Sequence, residues 1–309
     1  MIHGLLAGIL WGLDTVILGI ALAMTPFVST EEAIVLAPFV STFIHDACSA
    51  CWMFLYMGTK KQLKHVVRAL KTKSGKFIVL AALLGGPIGM TGYVSAINYI
   101  GPGYTAIISA MFPAIGAVLS YVFLKEKMSK VQIAGLAVSI LSVIGLSYTP
   151  DGNAPENFFL GLLCALLCAF GWAAEAVICA YGLKDPDITD EQALQIRQTT
   201  SALTYAAIIL PVISGWNFTV SIIPTTTSAV ILLSALFGTA SYVMYYRAIS
   251  KIGATRAMAL NITYSAWSIV FAILLLGTLP SVTGIVFGIL LICGSLVAAN
   301  GLPQKKTKD

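Results

Sequence analysis

Charged side chains are scarce in this 309-residue chain, where Lys, Arg, Asp and Glu together make up 10% of the residues. A soluble domain of ordinary composition carries about 25%. Apolar residues fill the difference: they reach 58% of the chain, and the mean hydropathy is +0.90. The composition therefore argues against a water-soluble domain and predicts a membrane protein. The net charge of +5 is no sign of a nucleic-acid partner, because its distribution follows the membrane topology described below.

Several chemical motifs are also missing. The sequence has no GxxxxGK[ST] phosphate-binding loop, which argues against ATP hydrolysis by this chain. All six cysteines fall in apolar stretches, where small packing residues are expected rather than the accessible thiolates of metal or redox sites. His45 and Asp46, with Ser41 and Ser49 nearby, are the only hint of a hydrolytic site, and they lack an activated-nucleophile motif. We therefore predict no cofactor, no metal and no enzymatic activity.

Ten apolar stretches are present, and each is long enough to cross a bilayer as a helix, which takes about 20 residues. The connections between them are too short for a soluble domain. The predicted fold is therefore all-α and polytopic, with ten transmembrane helices. The predicted spans are roughly 2–24, 32–58, 75–99, 102–124, 129–148, 157–182, 190–214, 225–250, 253–276 and 279–300.

Lysine and arginine are confined to alternate connections, which predicts the orientation of the chain. If the N-terminus lies inside, the inner loops and the C-terminal tail hold every basic residue except Arg197. Arg197 lies about two turns into the seventh span. Both termini are therefore predicted to be cytoplasmic. The first span is interpreted as a retained helix rather than a cleaved signal peptide, because it has no basic n-region and contains Asp14.

The sequence resembles itself at an offset of about 150–160 residues. The pattern YxxAxxxIG occurs at Tyr93–Gly101 and again at Tyr245–Gly253. Each half holds five spans, and because five is odd the second half enters the membrane from the opposite side. Inverted repeats of this kind occur in transporters whose substrate site lies near the midplane. We therefore predict two inverted five-helix repeats, 1–150 and 151–309, that form one structural unit.

Several segments resemble the EamA-type repeat of the drug/metabolite transporter superfamily. They are AIISAMFP, LKEKMS and QIAG between Gly101 and Gly145, and GLLAGILWG at 4–12. The second repeat departs from the pattern, because Ser265 stands where the first has Pro113 and the turn at 276–281 has no acidic residue. The resemblance covers essentially the whole chain and implies a ten-helix secondary transporter. It does not identify the cargo, since the superfamily moves amino acids, sugars, nucleotide sugars and cations.

Five ionisable side chains are embedded in the spans. A charge at the bilayer centre costs several kcal/mol and usually marks a pathway or a relay. His45 and Asp46 are adjacent and about 100° apart around a helix, so both are not expected to face inward equally. Arg197 is interpreted as an inner gate, or as a partner for one of the nearby acidic residues. The five residues are Asp14, His45, Asp46, Glu175 and Arg197, and the acidic candidates for Arg197 are Asp185, Asp187 and Glu191.

Aromatic residues stand close to two of these carboxylates. Trp11 precedes Asp14, and Trp172 precedes Glu175, by three residues, which places each pair on one helical face. Carboxylates and aromatic faces around one cavity are what an organic cation requires, since each ring contributes about 0.5–2 kcal/mol to holding an ammonium. The alternative is that these tryptophans lie in interfacial belts. The predicted substrate-binding residues are Trp11, Asp14, His45, Asp46, Trp172, Glu175, Tyr242, Tyr245 and Trp267.

The sequence resembles one branch of the superfamily more closely, the Lic-type choline importers. The shared features are Trp11-Gly12, His45-Asp46, Gly171-Trp172-x-x-Glu175 and a tyrosine-rich eighth span. This resemblance implies choline as cargo and a bacterial cytoplasmic membrane as location.

The predicted function is a secondary transporter that imports choline or a related quaternary ammonium by alternating access. The membrane potential is the expected driving force, and proton coupling through Asp14, His45 or Glu175 is left open. The alternative is an exporter of amino acids or of lipophilic metabolites or drugs with the same fold. The expected partners are the organic cation and the lipid bilayer, with no nucleic acid, and the protein is expected to be a monomer.

Overall fold

The computed structural model describes residues 1–124, 129–147, 156–184, 188–279 and 281–299. Within these ranges all regular structure is helical, and they contain no strand. Two π-helical stretches lie at Leu84–Met90 and Tyr205–Ile209. The helices are α1 (Ile2–Leu22), α2 (Glu31–Thr59), α3 (Leu63–Leu70), α4 (Lys73–Leu83), α5 (Thr91–Ser109), α6 (Phe112–Leu124), α7 (Lys130–Ser147), α8 (Phe158–Gly182), α9 (Asp190–Thr204), α10 (Leu210–Val212), α11 (Trp216–Ile222), α12 (Thr226–Ile252), α13 (Ala254–Asn261), α14 (Tyr264–Leu276) and α15 (Val282–Ala299).

Some residues used in the sequence interpretation fall outside the described ranges. They are the inner turn at 125–128, the possible Arg197 partners Asp185 and Asp187, and the basic C-terminal tail beyond residue 299.

The chain is a multi-pass membrane protein. Six helical segments of its described part are long and apolar enough to cross a membrane. Three shorter apolar helices, Phe112–Phe123, Lys130–Ser142 and Val282–Ala298, coincide with further predicted spans. The predicted span 190–214 is divided among α9, a π-helical stretch and α10, and α9 is rich in polar residues. The six segments are Ile2–Leu22, Glu31–Thr59, Lys73–Ser109, Phe158–Gly182, Thr226–Ile252 and Arg256–Leu276.

Threonine side chains cap the first turns of four helices, which explains where these helices begin. Thr30, Thr72 and Thr225 each accept a hydrogen bond from the backbone N–H three residues later. Thr189 and Gln192 form a reciprocal capping box at the start of α9. Such caps satisfy backbone donors that have no partner within the helix.

The backbone repeats at the offset that the sequence predicts. Gly101 interrupts α5 with φ 76° and ψ 166°, and Gly253 separates α12 from α13 with φ 82° and ψ 161°. Only glycine adopts this region without strain, because any Cβ would clash with the backbone. The YxxAxxxIG pattern therefore ends in the same glycine-dependent break in both halves.

Helix directions bring the first helix of each half into an antiparallel relation. Ser234 and Ser241 of α12 donate hydrogen bonds to the carbonyls of Asp14 and Ala7, so α1 and α12 are antiparallel. Gly92 of α5 lies against Cys168 of α8, whereas Tyr99 and Ile100 lie against Gly161, so α5 and α8 are also antiparallel. Gly19 lies against Ile97 and Pro102, and Trp11 against Tyr93, so α1 runs parallel to α5. The helices α1 and α8 therefore run in opposite directions.

Candidate functional site

Aromatic rings from both halves of the chain meet at the middle of α1 and α8. The ring centroids of Trp11 and Trp172 are 5.3 Å apart in an edge-to-face arrangement. Tyr242 lies 5.0 Å from Trp11, and Tyr93 lies 4.7 Å from Trp172. Aromatic pairs at these separations attract each other beyond the burial of their surfaces. Phe112 and Tyr264 complete the cluster, each 6.2 Å from Trp172.

Glycines make the close approach around Trp172 possible. A Cβ added to Gly89 would lie 2.9 Å from Cδ1 of Trp172, and one added to Gly171 would lie 2.6 Å from the carbonyl oxygen of Leu84. Real Cβ atoms do not come this close to other atoms, so larger residues at either position would push the helices apart. The indole is therefore positioned by backbone-to-ring packing between α8 and the π-helical stretch before α5.

A cavity lies inside the aromatic cluster and also contacts Glu175. Its volume is about 20 Å³, which leaves room for about one water molecule. The rings therefore stand almost in contact in this conformation, and a larger molecule requires them to separate. The lining residues are Trp11, Phe112, Trp172, Glu175, Ser241, Tyr242, Tyr245 and Asn261.

Four polar atoms of these lining residues have no hydrogen-bond partner among the described residues. Three can donate a hydrogen bond: Nε1 of Trp11, Nε1 of Trp172 and the hydroxyl of Tyr245. The fourth, Oδ1 of Asn261, can only accept one. An unsatisfied buried polar group costs about 1–3 kcal/mol, and such groups in native proteins call for an explanation. The cavity thus presents apolar ring faces together with three unused donors and the unused amide oxygen of Asn261.

All five embedded ionisable residues lie in one continuous chain of contacts. Oδ1 of Asp14 is 3.3 Å from Nε2 of His45, and Nδ1 of His45 is 3.1 Å from Oδ1 of Asp46. Oδ2 of Asp46 is 3.5 Å from Nη1 of Arg197, whose Nε donates to Oε1 of Glu175 at 3.2 Å. Buried charges persist only where other charges and hydrogen bonds compensate them. We call this series of residues on α1, α2, α9 and α8 the buried ionic chain.

Hydroxyl groups and an amide complete the hydrogen bonding of the buried ionic chain. Ser234 donates to Asp14, Ser201 to Asp46 at 2.5 Å, and Tyr246 to Glu175 at 2.6 Å. The Arg197 guanidinium donates to Oε1 of Gln198 at 2.6 Å and to the Tyr242 hydroxyl at 2.7 Å. Every member of the chain is therefore held from at least two sides.

The two Trp-x-x-acid pairs place their carboxylates on opposite sides of the aromatic cluster. Each acid is one turn C-terminal to its tryptophan, and α1 and α8 are antiparallel. Asp14 does not line the cavity: it faces His45 and Ser234, and a Cβ added to Gly238 would lie 2.9 Å from its Oδ2. The structure therefore differs from the expectation that both carboxylates face one chamber, because the antiparallel helices separate them.

His45 and Asp46 are both fully buried and contact each other, although adjacent helix positions were not expected to face inward together. Neither residue lines the cavity. Both side chains have polar partners in the interior. Helices α1 and α12 contact one side of α2, and helix α9 contacts another side. Within the described residues, these two therefore contact the cavity only through the buried ionic chain.

Arg197 occupies a different place from the one that the sequence predicted. It is fully buried and pairs with Glu175 and Asp46 rather than with Glu191. Glu175 is seven residues before the end of α8, and Arg197 is seven residues after the start of α9. The equal distance of the two residues from these helix ends could be read from the sequence, and it indicates that they can pair.

Trp267 lies outside the aromatic cluster. The residue is 36% exposed, its ring packs against Phe271 with the centroids 6.1 Å apart, and its Cβ lies against Gly12. Tyr264, three residues earlier, is buried in the cluster. Side chains three residues apart on a helix point in directions that differ by about 60°, which is enough to turn Trp267 away from the interior.

Three cavity-lining residues, Phe112, Ser241 and Asn261, were not predicted from the sequence. Phe112 directly precedes Pro113 at the break between α5 and α6, which is a position that a kink signal identifies. Ser241 and Asn261 carry no comparable local signal.

A second ionic cluster lies at the start of α9. Glu191 accepts hydrogen bonds from Lys60 at 2.8 Å, from Tyr56 at 2.7 Å and from Arg247 at 2.8 Å, and Arg247 also pairs with Asp190 at 3.3 Å. Hydrogen bonding to Glu191 raises the pKa of the Lys60 ammonium. This cluster joins α2, α9 and α12, and we call it the terminal ionic cluster.

Comparison with known proteins gives a family match and two relatives. The EamA-like transporter family matches residues 1–148 and 159–300, which are two successive repeats. The Haemophilus influenzae protein LicB is 36% identical over 190 residues, which cover 62% of this chain and 63% of LicB, less than two thirds of its length. The uncharacterized transporter YoaV of Bacillus subtilis is 22% identical over 219 residues, or 70% of this chain and 72% of YoaV.

A solved crystal structure shares the fold. It matches 96% of both chains with a TM-score of 0.62 at 16% sequence identity. At that identity the likeness speaks for the fold alone.

Proposed function

The chain belongs to the EamA-like transporter family, and from that premise we propose that it imports choline or a related quaternary ammonium cation. Family membership confirms the predicted resemblance, and the two matched repeats account for nearly the whole chain. The identity to LicB supports the placement in the Lic-type branch. The cargo and the direction of transport are the proposed part.

The observation that carries this proposal is the cavity in which aromatic faces surround one carboxylate. A quaternary ammonium has no N–H to donate, so it is recognised by ring quadrupoles and by a nearby anion rather than by hydrogen bonds. Trp11, Trp172, Tyr242 and Tyr245 supply rings, and Glu175 supplies the anion. Each ring contributes about 0.5–2 kcal/mol to such a contact, depending on desolvation.

The four unpartnered polar atoms favour a cargo that also carries a hydroxyl. A hydroxyl accepts up to two hydrogen bonds and donates one. It would accept from Trp11, Trp172 or Tyr245 and donate to Asn261, which gives a partner to groups that have none among the described residues. Choline combines a trimethylammonium with such a hydroxyl, whereas tetramethylammonium does not. We therefore expect choline to bind more tightly than tetramethylammonium.

Transport is proposed to follow alternating access. The cavity is too small for choline in this conformation, so the rings must part as the two repeats move. The membrane potential favours inward movement of a monovalent cation by about 2.3 kcal/mol per 100 mV, or roughly fiftyfold. Proton coupling through Asp14, His45 or Glu175 is compatible with their places in the buried ionic chain.

The proposed topology is that of ten transmembrane helices in two inverted repeats, 1–150 and 151–309. The antiparallel first helices of the two halves and the matching breaks at Gly101 and Gly253 support it. Both termini are proposed to lie in the cytoplasm, on the basis of the lysine and arginine distribution. The proposed location is a bacterial cytoplasmic membrane, and the proposed working unit is a monomer.

Uptake of labelled choline into proteoliposomes tests the proposal. Under an inside-negative potential we expect choline to accumulate, and we expect unlabelled tetramethylammonium to compete. Liposomes without protein and proteoliposomes with the potential collapsed are the controls. Uptake no greater than in protein-free liposomes would remove choline import. Choline efflux that rises while uptake stays at background would favour an exporter.

A further inference from the structure

Arg197 already makes the contacts that a cationic cargo would need. The guanidinium carbon lies 4.4 Å from the centroid of the Tyr242 ring, and Nε lies 3.2 Å from Oε1 of Glu175. Tyr242 and Glu175 both line the cavity. A cation on a ring face beside a carboxylate is the arrangement proposed above for the cargo. Tyr242 and Glu175 therefore already bind a cation of the protein itself, the Arg197 guanidinium.

We propose that Arg197 is a resident cation that competes with the cargo for Glu175 and Tyr242. Resting on the proposed function, this inference concerns how the same site is regulated. In the empty carrier Arg197 neutralises Glu175, and in the loaded carrier the cargo ammonium takes its place. Competition of this kind weakens cargo binding and allows the site to close without cargo.

The structure provides a place for Arg197 when it leaves Glu175. Its Nη1 lies 3.5 Å from Oδ2 of Asp46 and 2.6 Å from Oε1 of Gln198. Asp46 is held in turn by His45 and by Ser201. A buried charge that loses its partner is strongly destabilising, so Arg197 requires another anion when it leaves Glu175. A small shift from Glu175 toward Asp46 leaves the guanidinium paired throughout.

Glu175 also has unused capacity for a second cation. The hydrogen bonds that it accepts from Arg197 and from Tyr246 both end on Oε1. Within the described part of the chain, Oε2 accepts no hydrogen bond and lies against Gly85, where any Cβ would clash with it. A carboxylate can accept several contacts. Cargo can therefore approach Glu175 before Arg197 has fully withdrawn.

The test compares two variants for which this competition predicts opposite effects on the choline dissociation constant of the purified protein. Asp46→Asn removes the alternative partner of Arg197, so the guanidinium binds Glu175 more strongly and choline binding weakens. Asp46→Asn combined with Arg197→Gln removes one charge of each sign, so the net charge is unchanged and Glu175 loses its competitor. We expect the double variant to bind choline about tenfold more tightly than the parent, the ratio that corresponds to 1.4 kcal/mol.

A second experiment uses free methylguanidinium as the probe. In the double variant it is expected to compete with labelled choline, because it can occupy the place of the missing side chain. In the parent, Arg197 occupies that place, and competition should be several-fold weaker.

Arg197→Lys keeps the buried charge, and choline binding is measured on this variant if the double variant does not fold. Lysine lacks the planar group that contacts Tyr242 and Glu175 together. We expect it to compete less well and choline to bind more tightly than in the parent. A folded double variant or Arg197→Lys variant that binds choline as the parent does, or more weakly, would overturn the competition, as would an Asp46→Asn variant whose choline binding is unchanged or tighter. A parent protein that binds no choline at all would instead overturn the proposed function.

Discussion

Helix α9 carries two ionic clusters about two turns apart, and they differ chiefly in their surroundings. In the terminal ionic cluster, the Lys60 side chain is 43% exposed and the Glu191 side chain 14%. In the buried ionic chain, Arg197 and Asp46 are both 0% exposed. Exposed pairs contribute about 0–1 kcal/mol, whereas removing one partner of a buried pair costs about 3–5 kcal/mol. Similar contacts therefore predict very different consequences of mutation.

The largest expected effect is that of breaking the buried ionic chain at Arg197. Arg197→Ala leaves Asp46 and Glu175 as buried carboxylates without their shared cation, and should lower the free energy of unfolding by about 3–5 kcal/mol. Denaturant unfolding in detergent measures the change. Arg247→Ala, in the terminal ionic cluster, is the matched control and should cost much less. Equal losses of unfolding free energy in the two variants would contradict the predicted difference between the two clusters.

The next effect separates the two carboxylates of the Trp-x-x-acid pairs. Glu175→Gln keeps the shape of the side chain but removes the negative charge that lines the cavity, and should weaken choline binding by about 10–100-fold, or 1.4–2.7 kcal/mol. Asp14→Asn should have a smaller effect on binding, since Asp14 faces His45 outside the cavity. Equilibrium binding of labelled choline measures both. A larger loss for Asp14→Asn would reverse the assignment of the cargo anion.

A smaller effect is expected from removing one aromatic face. Trp172→Ala deletes a ring that contacts four neighbours in the cluster, and should weaken choline binding by about 0.5–2 kcal/mol. Trp267→Ala removes an indole of the same size outside the cavity, and choline affinity should stay as in the parent. The same binding titration compares them. If Trp267→Ala weakens binding as much as Trp172→Ala, the cavity is not the cargo site.

The smallest effects are expected at the exposed lysines that follow α2. Lys60→Gln removes one exposed ion pair with Glu191, worth about 0–1 kcal/mol. Lys61→Gln removes an exposed charge. Each variant should take up choline at the rate of the parent in proteoliposomes. A severe loss of uptake in Lys60→Gln would mean that the terminal ionic cluster controls transport rather than merely joining helices.

Much of the architecture was predictable from the sequence. Hydropathy identified the apolar helices, and the five embedded ionisable residues were identified by their scarcity alone. The two copies of YxxAxxxIG predicted an internal repeat, and both copies end in the same backbone conformation, at Gly101 and Gly253. These features depend on local sequence and on the solvent that surrounds the chain.

The partners of the embedded residues were not predicted, because they depend on how helices distant in sequence pack together. Arg197 was expected to be an inner gate or a partner for Asp185, Asp187 or Glu191, yet it pairs with Glu175 of α8. Asp14 was expected beside the cavity, but antiparallel packing of α1 and α8 moves it to the other side of the rings. Trp267 follows Tyr264 by three residues, and this spacing leaves Trp267 at the edge of the buried face of the helix.

The most direct measurement is a crystal structure of the protein with bound choline. The account predicts density for the ammonium within about 6 Å of the ring centroids of Trp11, Trp172 and Tyr242, next to Glu175, with the rings further apart than the 5.0 Å and 5.3 Å seen here. Choline density elsewhere in the protein, with the aromatic cluster still closed, would contradict it.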